Sequence, residues 1–390
     1  MKIKELELIN IGGIPKLKLN NFDPKMNIIC GPNGIGKTTI IDSIAHIFSH
    51  GYTQILKRNV NAEAGSINYT LQFEDIEDYS NTIDINVYNP LEHTNFNSRS
   101  DLSNKIIHLK TNRNFNYENL GAIAKDDFVD LSRSAELSMI GIHHTSTKSW
   151  FINKFVFANV PNSLKPEQFH NFELAKSCFS KLNKEFSFKT VDPDSLDIIV
   201  NTPSGDIIYE YLSSGFKSII SILFGIIREI EFRFRENRIR AEEFDGIVLI
   251  DEIELHLHPE WQEQVSRILK EVFINAQFIL TTHSPHVIQT ALKGEVIALE
   301  RVGNNVNKRD LEDQEYGYLG WTVEEVLKYV MGMGSLKTPE YIKTRESFIQ
   351  AYKNNDLAGA QIAFNKLEKM LHPENELIEI YKMQLLSLGE

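Results

Sequence analysis

With 390 residues, 42% of them apolar, the chain can build one large or two ordinary domains, which excludes a disordered polymer. A formal net charge of −12 excludes a global positive field, so any contact with nucleic acid must come from a local basic face. Two cysteines, Cys30 and Cys178, exclude a disulfide scaffold or a zinc ribbon and suit a reducing cytosol. No signal-peptide core follows Met1, and the most apolar stretch, Ile219 to Ile230, is short and carries Arg228 and Glu229, so the expectation is a cytoplasmic protein without a membrane span.

In chain order, residues 2–9 and 14–19 alternate polar and apolar side chains and predict a hairpin across Asn10-Ile11-Gly12-Gly13. Met26 to Cys30 is an apolar strand that runs into Gly31-Pro32-Asn33-Gly34-Ile35-Gly36-Lys37-Thr38-Thr39, and an amphipathic helix follows from about Lys37 to Phe48. This GxxxxGK[ST] spacing between a strand and a helix predicts a phosphate-binding P-loop. Its glycines let backbone N–H groups curl round a phosphate, the helix N-terminus favours negative charge, Lys37 reaches the terminal phosphates and Thr38 can ligate Mg²⁺. Asn33, Gly34, Gly36, Lys37, Thr38 and Thr39 are therefore the expected nucleotide-binding residues of the loop.

Residues 67–73 and 82–88 read as strands, 89–104 as a loop, and Ile106 to Leu109 as a buried strand. From about 120 to 190 the pattern is mainly helical, which predicts a lobe inserted at about 115–195 between two halves of a nucleotide-binding core. Strands return at Leu196 to Asn201 and Asp206 to Tyr211, a long helix is expected from Phe216 to Arg240, and strands at 247–250, 277–281 and 296–300 alternate with a helix near Pro259. After Gly303 no strand is expected: the core closes at 302, and 303–390 becomes a helical tail with a capping box at Thr322 to Glu325 and Pro339 and Pro373 at helix starts.

The second acidic motif is Ile247-Val248-Leu249-Ile250-Asp251-Glu252, a buried strand that presents two adjacent carboxylates at its end. In this arrangement Asp251 holds the water shell of Mg²⁺ and Glu252 polarises the attacking water. Ser213-Ser214-Gly215, just before the long helix, is a second anion-binding geometry, and the strand ending in Thr281-Thr282-His283 brings an imidazole towards the terminal phosphate. Each of these also reads as a plain helix cap or a polar strand end. Arg228, Arg233, Arg235, Arg238 and Arg240 read either as a phosphate-contacting row or, with Glu229, Glu231 and Glu236 between them, as a solvated helix with internal ion pairs. His256 and His258 have the spacing of a metal pair on a strand but sit beside the acidic motif, and His143-His144 has no evident partner. The apolar faces of the tail helices serve packing within the lobe or docking of another chain.

The ordered set GPNGIGKTT, LSSGFKS, VLIDEIELHLHP and TTHSP resembles the ABC-type ATPases, and within them the group of RecF, SMC heads and OLD-like enzymes. The resemblance covers roughly the first three quarters of the chain, the inserted lobe matching least. It implies an α/β P-loop NTPase head with an N-terminal β-hairpin, an inserted helical lobe and a C-terminal helical lobe, using ATP and Mg²⁺. It further implies a homodimer or higher oligomer in which Ser213, Ser214 and Gly215 of one copy close on the ATP of another, with Lys37, Glu252 and His283 catalytic, Thr38 and Asp251 at the metal, and Leu255 to Pro259 in place of the D-loop. The Q-loop glutamine is not placed; Gln72 is a candidate on order alone. The segment from Lys110 to Tyr117, the Lys148-Ser149-Trp150 region and the helical tail are similar to the PtuA-like ATPases of Septu anti-phage systems, also found beside some retrons. That similarity implies a separate HNH-type, PtuB-like nuclease partner and contact with nucleic acid through the complex, including retron RNA or DNA. The chain itself has no HNH arrangement. A RecF-like DNA-maintenance ATPase and a slowly hydrolysing scaffold held by ATP are the alternatives.

Overall fold

The computed structural model describes every residue except 114–116, 143–146, 313–314 and 389–390. His143, His144, Asn114, Phe115 and Asn116, singled out above, lie outside the described residues. Alternating apolar residues at the N-terminus fold into the expected hairpin, β1 (Lys2–Ile11) and β2 (Ile14–Asn20), followed by the wholly buried β3 (Met26–Cys30) and by α1 (Lys37–Ile47). After the two-residue β4 (Tyr52–Thr53), β5 (Ser66–Gln72) and β6 (Tyr79–Asp84) extend the hairpin into an antiparallel sheet of order β2-β1-β5-β6, and β7 (Thr94–Asn95) pairs with β4. β8 (Ile106–Leu109) precedes three helices, α2 (Leu131–Ile140), α3 (Thr147–Ala158) and α4 (Pro166–Leu182). A small antiparallel sheet of β9 (Ser187–Val191), β10 (Ile198–Thr202) and β11 (Gly205–Ile208) leads to α5 (Ser214–Arg233). Then come β12 (Ile247–Ile250), α6 (Pro259–Val272), β13 (Gln277–Thr281), α7 (Pro285–Gln289), β14 (Val296–Val302), β15 (Asn305–Lys308) and α8 (Val323–Glu325), which continues as a π-helical turn over Val326–Val330.

Six strands form the central sheet, in the order β15-β14-β3-β13-β12-β8. All neighbours are parallel except β15, and the register places Leu109 opposite Ile250, Ile250 opposite Leu280, and Ile28 opposite both Leu280 and Val296. Alternation along each strand sends neighbours to opposite faces: Ile28, Ile250 and Leu280 join one core with α5 and α6, while Ile29, Leu249 and Ile279 join a second with α1 and the antiparallel sheet. A parallel sheet covered on both faces leaves its strand C-termini as an open rim, the place where such sheets take ligands.

The inserted helices are tied to the long helix by buried charges. Lys148 on α3 bridges Asp197 and Glu210, each at 2.6 Å, and Lys154, further along the same helix, pairs with Glu231 of α5 at 2.8 Å. Among the described residues, no helix is long and apolar enough to cross a membrane.

The chain divides into two compact units, Met1–Gly332 and Met333–Glu390. Within the first unit the polar stretch Asn305–Lys308, where no strand was expected, forms one. It folds back on β14 with Lys308 opposite Leu299, and Val306 enters the core. The second unit is three capped helices, α9 (Pro339–Lys353), α10 (Leu357–Met370) and α11 (Glu376–Leu386), round Phe348, Phe364, Leu367 and Tyr381. Pro373 does not start a helix: Asn375 caps α11 instead, its side chain accepting from the Leu377 N–H. β10 begins two residues later than expected, after Leu196 takes a left-handed φ of 56°.

α5 ends at Arg233 rather than Arg240, so the expected arginine row does not lie on one helix. Nor is its first half solvated. Arg228 and Arg233 are buried and both pair with Glu229, at 3.0 and 3.1 Å. Burial alone would raise the Glu229 carboxyl, but the Arg233 and Arg228 guanidinia hold it below its ordinary range.

Two buried histidines make this unit acid-sensitive. His46 Nδ1–H donates to the Asp42 carbonyl and its Nε2 accepts from Thr53, while His108 Nδ1–H donates to the Ser138 carbonyl at 2.7 Å. Burial lowers each imidazole to about 4, against 6.5 when exposed. The folded protein therefore binds fewer protons than the unfolded chain between these values, and stability falls as pH drops from about 6.5 towards 4. The expected result is a melting temperature that declines over that window, with a shallower decline in His108→Gln than in the parent chain.

Candidate functional site

The P-loop takes the shape that its glycines permit. Gly31, Gly34 and Gly36 have φ of 148°, 71° and 107°, and a Cβ on Gly31 would lie 2.7 Å from the Leu299 carbonyl oxygen. Gly36 is the N-cap of α1; no side chain caps the helix and no acidic residue lies in its first turn, so its leading N–H groups are left for an anion. By contrast Asp130 caps α2 and Ser213 caps α5 with their own side chains. Asn33, Gly34 and Thr38 are exposed at the mouth of the loop, whereas Lys37 is buried, its Nζ donating to the carbonyls of Gly31 at 2.9 Å and Pro32 at 3.1 Å. Burial lowers the Lys37 ammonium, opposed by Cys30, Glu254, Asp251 and Glu252. Cys30, beneath the loop, is pushed up to about 12 by burial and stays a thiol.

Asp251, 6% exposed at the end of β12, gathers three segments. Thr38 donates to its Oδ2 at 3.1 Å and Thr281 donates to its Oδ1. Thr281 in turn accepts the Glu252 N–H at 2.8 Å. Glu252 sits at a φ of 49°, and His256 at 65°, so the backbone after the strand is held in the sparsely populated left-handed region, a constraint that aims the second carboxylate. Glu254 holds the segment after β13, accepting from the Thr282 hydroxyl at 2.8 Å and from the His283 N–H at 2.6 Å, and leaves the His283 side chain exposed.

The structure thus brings Lys37, Thr38, Asp251, Glu252 and His283 to one rim. It does not bring Ser213, Ser214 and Gly215 there: among the described residues no hydrogen bond or ion pair joins that turn to the P-loop. The turn instead packs on Trp261 of α6, where a Cβ on Gly215 would lie 2.5 Å from the indole, and Lys217 donates to the Glu210 carbonyl at 2.8 Å. Thr39 turns its carbonyl to the Ser43 hydroxyl at 2.7 Å. Gln72 ends β5 opposite Lys2 on the antiparallel sheet and is exposed; the segment that reaches the rim beside β12 is the one after β8, Lys110 to Arg113. There Lys110 pairs with Asp42 of α1 at 3.1 Å, and Arg113, 4% exposed, donates from Nη2 to the Asp251 carbonyl. Arg113, Glu254 and Thr281 escaped the sequence reading. All three stood inside quoted stretches, Arg113 in the segment from Lys110 to Tyr117, but no local signal gave Arg113 a role at the site, because its contact with Asp251 spans 138 positions.

The donor set fits a nucleotide with a divalent cation: a glycine cradle that tolerates no Cβ at Gly31, a lysine, uncapped helix N–H groups, and a hydroxyl beside a carboxylate. A phosphate loop after β3, an acidic pair after β12 and β13 between them make this the head of an ABC-type P-loop NTPase. The family described as "AAA domain, putative AbiEii toxin, Type IV TA system" matches residues 26–289. The Septu protein PtuA of Bacillus thuringiensis is 40% identical over 99% of this chain and 98% of its own length. The chain belongs to this AAA family of ATPases and, within it, to the PtuA proteins. A retron Ec83 probable ATPase of Escherichia coli is 42% identical over 24% of the chain and 17% of that protein. Among solved structures, the SMC head domain from Thermotoga maritima aligns at 16% identity and a TM-score of 0.48, covering 80% of this chain and all of that one.

Gly31→Ala is expected to destabilise the protein by about 1–3 kcal/mol, because the strained φ and the Leu299 carbonyl leave the methyl no room. Urea unfolding measures this; a change of a few tenths would mean that the loop is free to rearrange.

Proposed function

We propose that this chain binds and hydrolyses ATP at the rim of its central sheet and uses the nucleotide to assemble and to regulate a separate HNH-type, PtuB-like nuclease in anti-phage defence. The observation that carries the ATPase half is the convergence of Thr38 and Thr281 on Asp251 beside the buried Lys37. In this reading the P-loop N–H groups and Lys37 hold the phosphates, and Thr38 and Asp251 hold Mg²⁺ directly or through its water. The metal, when bound, supplies charge neutralisation on the phosphate oxygens. Glu252 orients the attacking water and takes its proton, while the exposed His283 faces the terminal phosphate.

Assembly as a homodimer or higher oligomer follows in this proposal from the position of Ser213 to Gly215: the turn is built as a helix N-terminus yet, among the described residues, no hydrogen bond or ion pair joins it to its own P-loop, so a second copy would supply it. Family membership supports the defence role and the nuclease partner, and similarity to retron ATPases over a quarter of the chain supports nucleic acid, including retron RNA or DNA, reaching the complex. Of the two arginines on which the RecF-like reading would rest, Arg233 is buried against Glu229, whereas Arg235 is exposed.

Lys37→Ala is expected to abolish ATP binding, and Glu252→Gln to keep binding while turnover falls by about 10²–10⁴-fold. Calorimetry and phosphate release measure the two. Unchanged binding and turnover in both variants would refute the site; absence of a co-purifying nuclease would refute the partner and leave the site standing.

A further inference from the structure

Arg113 is held where neither the P-loop nor the acidic motif accounts for it. It follows β8, whose Leu109 pairs in register with Ile250, so it stands on the same rim as Asp251 and Glu252. Its Nε donates to the Lys110 carbonyl at 3.3 Å and its Nη2 to the Asp251 carbonyl, which fixes the plane of the guanidinium against the start of the acidic loop. Glu254, Asp251 and Glu252 act on it electrostatically, yet among the described residues no carboxylate lies within ion-pair distance of it: Asp251 is taken by Thr38 and Thr281, and Glu254 by Thr282 and His283. Its Nη1 is buried and, among the described residues, has no hydrogen-bond partner. A buried guanidinium with an unused N–H and no directly paired anion is costly, and it keeps its charge at neutral pH. What sets Arg113 apart is the missing anion: Arg233 also leaves a buried Nη2 without a hydrogen-bond partner among the described residues, but it and Arg228 share the carboxylate of Glu229.

We infer that Arg113 is a phosphate-reading residue of the ATP site, whose Nη1–H is reserved for a terminal-phosphate oxygen and so distinguishes ATP from ADP. An arginine has no lone pair to offer a metal, so its contribution at this rim is to the phosphate charge, not to Mg²⁺ coordination. Because its other hydrogen bond is to the Asp251 main chain, arrival of the phosphate would be felt directly by the loop that carries Glu252. This inference rests on the ATP-site reading above.

The test is calorimetric binding of the β,γ-imido analogue of ATP and of ADP, each with Mg²⁺, to the full chain and to its Arg113→Ala, Arg113→Lys and Lys37→Ala variants. Arg113→Ala is expected to weaken the ATP analogue about tenfold or more while leaving ADP affinity within about twofold. Arg113→Lys, which keeps the cation and guards against a misfolded alanine variant, is expected to restore part of the preference at parental ADP affinity. Equal loss for both nucleotides, or no loss for either, while Lys37→Ala abolishes both, would overturn the role of Arg113 and leave the site intact. Unchanged binding in Lys37→Ala would overturn the site itself and the inference with it.

Discussion

The Asp251 carboxylate is the constraint on which the rest of the site depends. It accepts hydroxyls from Thr38, at the start of α1, and from Thr281, at the end of β13, so that one side chain joins the P-loop, β12 and β13. The bonds are possible because β3, β13 and β12 are adjacent and in register, which ends all three strands at the same level. Burial strengthens them: at 6% exposure the carboxylate meets little competition from water.

Around that knot the fold separates rigid from adjustable parts. Met26, Ile28 and Cys30 of β3 pack into one core and Ile29 into the other, so the strand beneath the loop is clamped from both faces. The loop is shaped by backbone conformations that only glycine adopts readily, and Glu252 and His256 carry the left-handed strain on the opposing segment. The turn at Ser213 to Gly215 is supported from a different direction. Glu210, whose carbonyl accepts from Lys217, is buried and paired with Lys148 of the inserted helices. A displacement of those helices would therefore reach the turn through a buried ion pair, which costs far more to break than a surface one.

Much of this was readable from the sequence because its signals are local. Glycines at fixed offsets before Lys37, an apolar run ending in Asp251-Glu252, and alternation in residues 2–19 each report on the backbone that carries them. What failed was decided by partners that the residues' own character does not announce. Asn305 to Lys308 is too polar to announce a strand and becomes one only by pairing with β14. Arg233 looks like a surface cation until Glu229 and the carbonyls of Ser103 and Ile106 surround it. Arg113 lay in a segment marked only by resemblance; its place at the site follows from β8 lying beside β12, a neighbour relation that no spacing in the chain reveals.

The proposed composite site is tested most directly by mixing two variants that fail for different reasons, Lys37→Ala and Ser213→Arg, each folded and each inactive alone. If the turn of one copy completes the phosphate loop of another, mixed assemblies contain sites in which both halves are intact, and ATP turnover recovers to a measurable fraction of that of the parent chain. Mixtures that assemble but remain as inactive as their components would contradict a site shared between copies.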